Sequence, residues 1–386
     1  MPVEQATMPK PEPICSRRHW LQGASLWAAG AATLGWAQPS SSPRSVTVAQ
    51  LVDFSPSQQD VSRDFLIGSR AAWQDINLRG GIRGRMEQHL TLETDGTPAS
   101  LRSAMDSVQD NAACVVLSGT VGDPLASQVA VLSRQGGLNM AHAGPWLQNS
   151  SLEVDEETFP IFAARQEQIA HALKTLSAMG LKDLGAVYAS TRDHAAYHLE
   201  VERIAATLQL QLQSFQGAGD LRMLGQKMTA KTPAVLLFVG GTPELAQFSQ
   251  GLEKQARQRY IVALADVNLQ TLLQMGAARN TPVIATQPVP MVNASLPVVR
   301  RYRETLARLF DEPPGPLSLA GFIAARYTFE VLREVEGPLT RQSALAAFQR
   351  RSSRDIGGFR VSFNAQRRSN TYVTQSMMTP EGRLIG

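Results

Sequence analysis

The sequence predicts an α/β fold built from two parallel sheets, each covered by helices on both of its faces. From residue 46 onward, apolar strand-like runs alternate with longer helix-like segments, which is typical of parallel sheets. A chain of 386 residues is long for one hydrophobic core. About nine predicted strands with a break near residue 158 fit two sheets better than one. We therefore expect two doubly wound lobes, with ligands bound where strand ends meet helix starts.

The first half of the chain supplies the elements of the expected first lobe. Apolar side chains recur at helical spacing after the first strand, and Gly80 and Gly81 are expected to end that helix. Thr97 is a good N-cap before a proline, so another helix is predicted to begin there. The predicted elements are a strand at 46–52, a helix at 60–78, a strand at 87–94, a helix at 98–108, a strand at 113–117, a helix from 123 and a strand at 138–141.

The same alternation continues through the second half. Gly180 is expected to end the first helix of this half, and Thr242 followed by a proline is expected to begin a later one. Helices are predicted at 166–179, 193–208, 220–229, 242–256, 266–275, 297–310, 319–334 and 341–350. Extended segments are predicted at 159–163, 184–189, 210–215, 234–239, 260–264 and 282–286, with an antiparallel pair at 358–363 and 371–376.

The N-terminal segment has the pattern of a twin-arginine export signal. Arg17 and Arg18 precede an uncharged, moderately apolar stretch that ends with small residues at Gly35 and Ala37. The stretch is short and rich in Gly and Ala for a membrane span, although an uncut anchor helix is the alternative. We expect cleavage after Ala37 and therefore a periplasmic protein, with a signal at 1–37 and a linker at 38–45.

Composition narrows the possible functions. A net charge of +4 on a chain of this length gives no reason to expect a nucleic-acid partner. The two cysteines are Cys15, which lies in the expected signal, and Cys114, which lies in an apolar strand-like run. A disulfide framework is therefore excluded for the mature chain, and Cys114 is expected to be a buried, inert thiol rather than a nucleophile.

Motifs of catalysis are absent from the sequence. It contains no Gly-x-Ser-x-Gly, no Gly-x-x-x-x-Gly-Lys-Ser/Thr, no Gly-x-Gly-x-x-Gly, no His-Glu-x-x-His and no Cys-x-x-Cys. His194, His198 and Glu202 are spaced to share one helix face, but a solvated polar face is the favoured interpretation over a zinc site. We therefore expect binding rather than catalysis, with neither a metal nor a cofactor.

Four stretches of the chain, in order and with their spacing, resemble one family. They are 65–77 with the Gly-Gly-Ile-Arg-Gly-Arg turn at 80–85, the loop Ser-Gly-Thr-Val-Gly-Asp at 118–123, the segment 180–188 and the segment 318–326. Together they are similar to the extracytoplasmic solute receptors of the branched-chain amino acid ABC transporter type, the leucine-binding protein-like family. The resemblance extends from about residue 46 to the C-terminus.

This resemblance implies a type I periplasmic binding protein-like fold, in which two doubly wound lobes are joined by three crossovers. It implies capture of a small polar solute, such as an amino acid, an amide or a related compound, between the lobes by hinge closure. The closed form would then dock on the membrane permease of an ABC transporter. The expected first lobe comprises 46–157 and 289–352, and the expected second lobe comprises 158–288 and 353–386.

By position, the resemblance places the ligand between loops that follow the strands of both lobes. The loops of the first lobe follow the predicted strands at 46–52, 113–117 and 138–141. Those of the second lobe follow the strands at 184–189, 234–239 and 260–264. The expected ligand-binding residues are Phe54, Ser55, Ser57, Thr120, Val121, Gly122, Asp123, Ala141, His142, Ala143, Tyr188, Asp193, Gly241, Thr242 and Asp266.

Two departures from the family pattern bear on the solute. Asp123 stands where the family commonly has a serine that receives the ligand carboxylate, and Ala320 stands where a glutamate is usual. Because a proline follows Asp123, its side chain is predicted to cap its own helix and to repel an anion. An amide or an amine is then favoured; for a zwitterion, Asp266 or Asp123 would hold the ammonium group.

Two other functions stay open at this stage. A protein of the same fold could act as a ligand-sensing subunit that signals to a partner instead of feeding a transporter. A secreted enzyme could use Asp266, His142 or Tyr188, which are predicted to lie near strand ends.

Overall fold

The computed structural model describes residues 45–135, 138–217, 219–253, 255, 257–276, 281–369, 372–378 and 384–385. The expected signal at 1–37 and the expected linker, Ser45 excepted, lie outside the described residues. In the described part of the chain, no helix has the length and apolar character needed to cross a membrane.

The first lobe is built on a parallel sheet whose strand order is β2-β1-β3-β4-β5. Every residue of the interior strand β1 is buried, because helices cover both faces of the sheet. Thr97 caps its helix as the sequence predicts, since its side chain accepts a hydrogen bond from the N–H of Ser100. The elements are β1 (Val46–Asp53), α1 (Gln59–Leu78), β2 (Glu87–Thr94), α2 (Pro98–Asp110), β3 (Cys114–Ser118), α3 (Asp123–Arg134), β4 (Ala141–Ala143) and β5 (Thr158–Phe159).

The second lobe is built on a second sheet with parallel strands in the order β10-β9-β8-β6-β7. Two apolar clusters, one on each face of this sheet, form its core. The elements are α4 (Arg165–Ala178), β6 (Asp183–Tyr188), α5 (Thr191–Thr207), β7 (Gln211–Gln216), α6 (Leu221–Gln226), β8 (Val235–Val239), α7 (Thr242–Leu252), β9 (Tyr260–Ala263), α8 (Leu269–Gln274) and β10 (Val283–Gln287).

The C-terminal part of the chain returns to the first lobe and then to the second. Its helices join the core of the first lobe, and β13 then pairs antiparallel with β10. The chain therefore passes between the lobes three times, after β5, after β10 and after β12, as the resemblance implies. The elements are α9 (Pro297–Leu309), α10 (Pro316–Leu332), α11 (Arg341–Gln349), β11 (Arg354–Ile356), β12 (Phe359–Val361), β13 (Thr374–Met378) and β14 (Leu384–Ile385).

The structure corrects the expected pairing of the C-terminal strands. The segment near 358–363 does not pair with the last predicted strand; β12 pairs with β11, and β13 pairs with β10 and β14. Gly357 and Gly358 have φ values of 60° and 96°, so they form a tight two-residue turn that closes the β11–β12 hairpin locally.

The expected lobe boundaries also differ from the sheet memberships at two places. Strand β5 pairs with β4 in the first sheet, and the hairpin residues Ile356, Phe359 and Val361 belong to the first lobe's apolar cluster. Both segments were expected in the second lobe. Their aromatic side chains explain the difference, because the rings of Phe159 and Phe348 lie 5.3 Å apart and are buried on the first lobe's side.

Candidate functional site

The two lobes meet through side chains at or near the starts of helices. These helix starts lie beyond the carboxyl ends of the parallel strands, where ligand sites of such folds form. The first lobe contributes the starts of α1 and α3, and the second lobe contributes the starts of α4, α7 and α8. Two sets of contacts result, and we call them the charged triad and the α1 contact.

The charged triad consists of Asp123, Arg165 and Asp266. Nη1 of Arg165 donates to Oδ2 of Asp123 at 2.9 Å, and Nε donates to Oδ2 of Asp266 at 2.7 Å. The side chains of Arg165, Asp123 and Asp266 are only 15%, 11% and 7% exposed. One buried guanidinium therefore joins a carboxylate of the first lobe to a carboxylate of the second.

Tyr197 of α5 completes the surroundings of the guanidinium. Its hydroxyl accepts from Nη1 of Arg165 at 2.8 Å, and its ring centroid lies 5.4 Å from the guanidinium carbon. Burial raises the pKa of the Tyr197 hydroxyl, although Arg165 acts in the opposite direction. The tyrosine therefore stays neutral and acts as a hydrogen-bond acceptor and a cation–π partner.

Charge compensation dominates the electrostatics of the triad. Burial alone would lower the pKa of Arg165, but the carboxylates of Asp266 and Asp123 outweigh it and hold that pKa well above its usual value. Burial raises the pKa of Asp266, Arg165 opposes the rise, and the charges of Asp123 and Asp193 add to it. The arginine is thus firmly charged, whereas the ionised form of Asp266 depends on its partners.

Asp123 does not cap its own helix, which corrects the sequence prediction. Helix α3 has Gly122 as its N-cap and no side-chain cap. Oδ1 of Asp123 instead accepts from the backbone N–H groups of Gln148 and Asn149, at 2.7 and 2.9 Å, while Oδ2 takes Arg165. Three donors, one of them charged, hold the carboxylate more strongly than the local backbone would.

A buried glutamine fixes the backbone next to Asp266. Oε1 of Gln168 accepts from the N–H of Ala265 at 2.9 Å and from the hydroxyl of Thr286 at 3.1 Å. Nε2 of Gln168 donates across the lobes to Oε1 of Gln148 at 2.5 Å. The glutamine thereby connects the strand end before Asp266 with the loop that holds Asp123.

The α1 contact joins the start of α1 to the second lobe. The hydroxyl of Thr242 donates to Oδ2 of Asp60 at 2.6 Å, and Nδ2 of Asn268 donates to Oδ2 of Asp64 at 2.8 Å. Burial raises the pKa of Asp60, and it raises the pKa of Asp64 to about 6. An open groove of about 580 Å³ lies beside this contact and is lined by these carboxylates, with Glu312 among them.

Several of the expected ligand-binding residues lie at these contacts. Asp123 and Asp266 form the triad, and Thr242 belongs to the α1 contact. Gly241 is the N-cap of α7 beside Thr242. Asp193 lies in the first turn of α5, where it interacts with Ser190, and its charge acts on Asp266. Their role in binding a ligand stays a prediction.

The loop after β1 lies at the edge of this region and contributes no contact to the triad. Phe54 is half-buried against the first lobe's core, and the N–H of Ser55 donates to Asp53 at 2.9 Å. Ser57 is exposed.

Gly122, the N-cap of α3, lies against the end of β1. It has a φ of 100°, and a Cβ there would lie 2.5 Å from the Cβ of Asp53, so only glycine fits.

The remaining expected residues lie in the lobe cores. Neighbouring side chains of a strand alternate between its faces. His142 is the register partner of Leu117, a core residue on the α2 and α3 side, and burial lowers the pKa of His142 to about 3. The fully buried residues of this group are Thr120, Val121, Ala141, His142, Ala143 and Tyr188.

Tyr188 is likewise a core residue. Its ring lies in the second lobe's apolar cluster and meets the ring of His194 edge to face at 5.0 Å. Burial raises the pKa of its hydroxyl. The strand predicted at 138–141 overlaps β4 only at Ala141, whereas the strand predicted at 184–189 matches β6 to within one residue. The side chains of His142 and Tyr188 lie in the lobe cores, and their role in binding a ligand stays a prediction.

Sequence reasoning missed Arg165 and Tyr197. Arg165 is the first residue of α4, and a cation in the first turn of a helix is disfavoured by the helix dipole. Such a residue therefore needs anionic partners from elsewhere in the fold, which is a signal that could have marked it. The rings of His194 and His198 are stacked 4.3 Å apart, and the described residues contain no group of three or more metal-ligating side chains.

Comparison with known families and structures agrees with this geometry. A family model described as periplasmic binding protein matches residues 45–378, so the chain belongs to the periplasmic binding protein family. Among curated proteins, none matches the sequence.

Solved structures with the same fold are numerous. An extracellular ligand-binding receptor from Verminephrobacter eiseniae has a TM-score of 0.78 at 17% identity, covering 89% of this chain and 100% of its own. A substrate-binding periplasmic protein from Ralstonia solanacearum has a TM-score of 0.76 at 21% identity, with coverages of 88% and 99%. The branched-chain amino acid transporter substrate-binding protein LivJ from Streptococcus pneumoniae, in complex with isoleucine, has a TM-score of 0.73 at 13% identity, with coverages of 89% and 98%. These likenesses establish the two-lobed fold.

Proposed function

We propose that the protein is the solute-binding component of an ABC-type importer, working in the periplasm. It captures a small polar solute between its lobes by hinge closure and releases it unchanged to a membrane permease. The observation that carries this proposal is the charged triad, because its two carboxylates come from different lobes and are both buried. Membership of the periplasmic binding protein family supports it.

The charged triad supplies an electrostatic reason for the two lobes to close on a solute. When the lobes close, Asp123 and Asp266 leave water, and buried carboxylates need donors or cations in exchange. Asp123 has its donors, but Oδ1 of Asp266 is buried and has no hydrogen-bond partner among the described residues. A polar solute that donates a hydrogen bond to this atom would favour the closed form over the open one.

The distribution of polar groups favours binding over catalysis. A mechanism that uses His142 or Tyr188 together with Asp266 would need both side chains to reach one substrate. His142 lies in the core of the first lobe and Tyr188 in the core of the second, so neither faces Asp266. Solved proteins of the same fold include one in complex with isoleucine and one in complex with leucine.

A thermal-shift screen of the mature protein tests the proposal. Amino acids, amides, polyols and amines are added singly, and a solute at 100 times its Kd should stabilise the protein by ~2.7 kcal/mol. Asp266→Asn should weaken binding of that solute about 30-fold, whereas Asp106→Asn, an exposed change on α2, should not. Chemical conversion of the solute, or equal binding by both variants, would contradict the proposal.

A further inference from the structure

The cation between the two lobes is part of the protein itself. Arg165 belongs to the second lobe, yet it bonds a carboxylate of each lobe, Asp123 at 2.9 Å and Asp266 at 2.7 Å. Tyr197 adds a hydroxyl and a ring face. Two converging carboxylates and an aromatic face form a subsite for an organic cation, and a side chain occupies it.

Burying the charge of Arg165 at the start of a helix costs free energy, and its role in that subsite explains why the charge lies there. As the first residue of α4, it lies where the helix dipole disfavours a cation. It is also largely buried, and its guanidinium bonds both carboxylates of the triad. The charge of Asp193 also acts on Asp266, so the surroundings of Asp266 disfavour an anion.

One atom of the triad is left for a solute. Oδ2 of Asp266 is used by Arg165, while Oδ1 is buried without a hydrogen-bond partner among the described residues. Asp266 itself is 6% exposed. A group that binds Oδ1 must donate a hydrogen bond, and a cationic group there would approach the guanidinium and be repelled by it.

We infer that Arg165 is a resident cation that determines the solute class: it excludes solutes that enter with an ammonium or amidinium group, including α-amino acids, and leaves Asp266 to an uncharged donor such as an amide. This inference rests on the proposed solute-binding function of the cleft. Arg165 acts on specificity through its charge and its position, and no chemical step is involved.

Chemical rescue tests this assignment without knowledge of the natural solute. Arg165→Ala removes the guanidinium and leaves the subsite empty, and methylguanidinium is then titrated into the mature variant. We expect a saturable rise in Tm of about 3 °C or more for the variant, and a rise below about 1 °C for the wild type, relative to sodium chloride at equal ionic strength. n-Butylammonium should act in the same direction.

Matched variants test whether methylguanidinium binds at the charged triad. Arg203→Ala removes an exposed arginine of α5 that pairs with Glu200, and it should give no response to methylguanidinium. Adding Asp266→Asn to Arg165→Ala should abolish the response. If Arg165→Ala is insoluble by itself, the yield of folded protein after refolding is compared with and without methylguanidinium, and a higher yield with it indicates rescue. The triple variant Asp123→Asn/Arg165→Met/Asp266→Asn, which has no charge at the triad, is the control.

Two results would overturn the inference. One is a folded Arg165→Ala protein that methylguanidinium leaves unchanged; the other is a wild-type protein that binds leucine or butylammonium at the triad. Either result leaves the proposed function intact if the wild type still binds an uncharged solute and Asp266→Asn loses it. Conversely, rescue of Arg165→Ala together with a wild type that binds no solute would remove the proposed function and keep the subsite.

Discussion

At the scale of single residues, buried carboxylates fall into two groups according to whether a cation faces them. Asp75 is buried, but Arg301, Arg79 and Arg308 surround it, and they outweigh burial and lower its pKa. Glu87 is also buried, and its carboxylate has only a long hydrogen bond of 3.4 Å, from Asn77. Burial therefore raises the pKa of Glu87 to about 8.

Replacing Glu87 by glutamine should stabilise the protein at alkaline pH. The folded state raises this pKa from 4.5 to about 8, so folding retains a proton there and loses stability as the pH rises through that interval. Glutamine cannot ionise and avoids that loss. We expect Glu87→Gln to gain up to about 4 kcal/mol of unfolding free energy at pH 8 and little at pH 4, measured by urea denaturation.

The exposed Glu93 of the same strand provides the control. Glu93→Gln should change the free energy of unfolding by less than ~0.5 kcal/mol at either pH. A gain for Glu87→Gln that is the same at pH 4 and pH 8 would mean that the side chain is not protonated by burial.

The candidate site was only partly predictable at this scale. Asp123 and Asp266 were identified because carboxylates at strand ends and helix starts are strong local signals. Arg165 was missed because its partners are distant along the chain, at 42 and 101 residues. The orientation of His142 could not be predicted, because a strand of three residues, Ala141–Ala143, gives no periodicity from which the cleft-facing side can be read.

At the scale of elements, α1 and α10 approach each other closely in the first lobe. A Cβ added at Gly321 would lie 1.9 Å from the carbonyl oxygen of Phe65, and one added at Gly68 would lie 1.7 Å from that of Ser318. The two helix backbones therefore touch at glycines. Because α1 carries Asp60 and Asp64, this contact positions the α1 side of the cleft.

Gly321→Ala should force the two helices apart. The added methyl group meets backbone, which cannot yield as a side chain can, so we expect a loss of about 2–3 kcal/mol in the free energy of unfolding. Ser107→Ala, on an exposed face of α2, introduces alanine into a helix without such a contact. Chemical denaturation of both variants makes the comparison, and equal stability of Gly321→Ala and the wild type would contradict the close approach.

Element type was largely predictable and element pairing was less so. The alternation of apolar runs with helical spacing located most strands and helices, because each is a local pattern. The C-terminal strands were paired wrongly for two reasons. Strand β13 pairs with β10, which lies 87 residues earlier in the chain at the pair Gln287 and Thr374, and β12 pairs with β11 in a local hairpin that turns at Gly357 and Gly358. Pairing depends on contacts that a single sequence does not encode locally.

At the scale of the whole molecule, the α1 contact joins the lobes through groups that titrate. Asp60 and Asp64 lie on the first lobe and accept from Thr242 and Asn268 of the second. Burial is the largest influence on both carboxyls, and we expect it to decrease when the lobes separate in the proposed hinge motion. The neighbouring charges of Asp60, Arg63 and Glu312 modify the pKa of Asp64 less than burial does.

The proportion of closed protein should therefore rise as the pH falls. In the closed form the pKa of Asp64 is about 6, whereas exposure in an open form would return it toward 3.8, so the closed form binds more protons between these values. Lowering the pH from 7 to 5 should increase the closed-to-open ratio about tenfold. The distance between spin labels on cysteines at Met86 and Met179, one exposed residue in each lobe, reports the ratio.

The variant Asp64→Asn separates this effect from other titrations. Asparagine keeps an oxygen that can accept from Asn268 but cannot ionise, so the pH dependence of the label distance should shrink while closure persists. Glu253→Gln, an exposed change after α7, should leave the wild-type dependence unchanged. If Asp64→Asn retains the full dependence, the titrating group lies elsewhere; if neither protein responds to pH, the lobes do not separate enough to rehydrate Asp64.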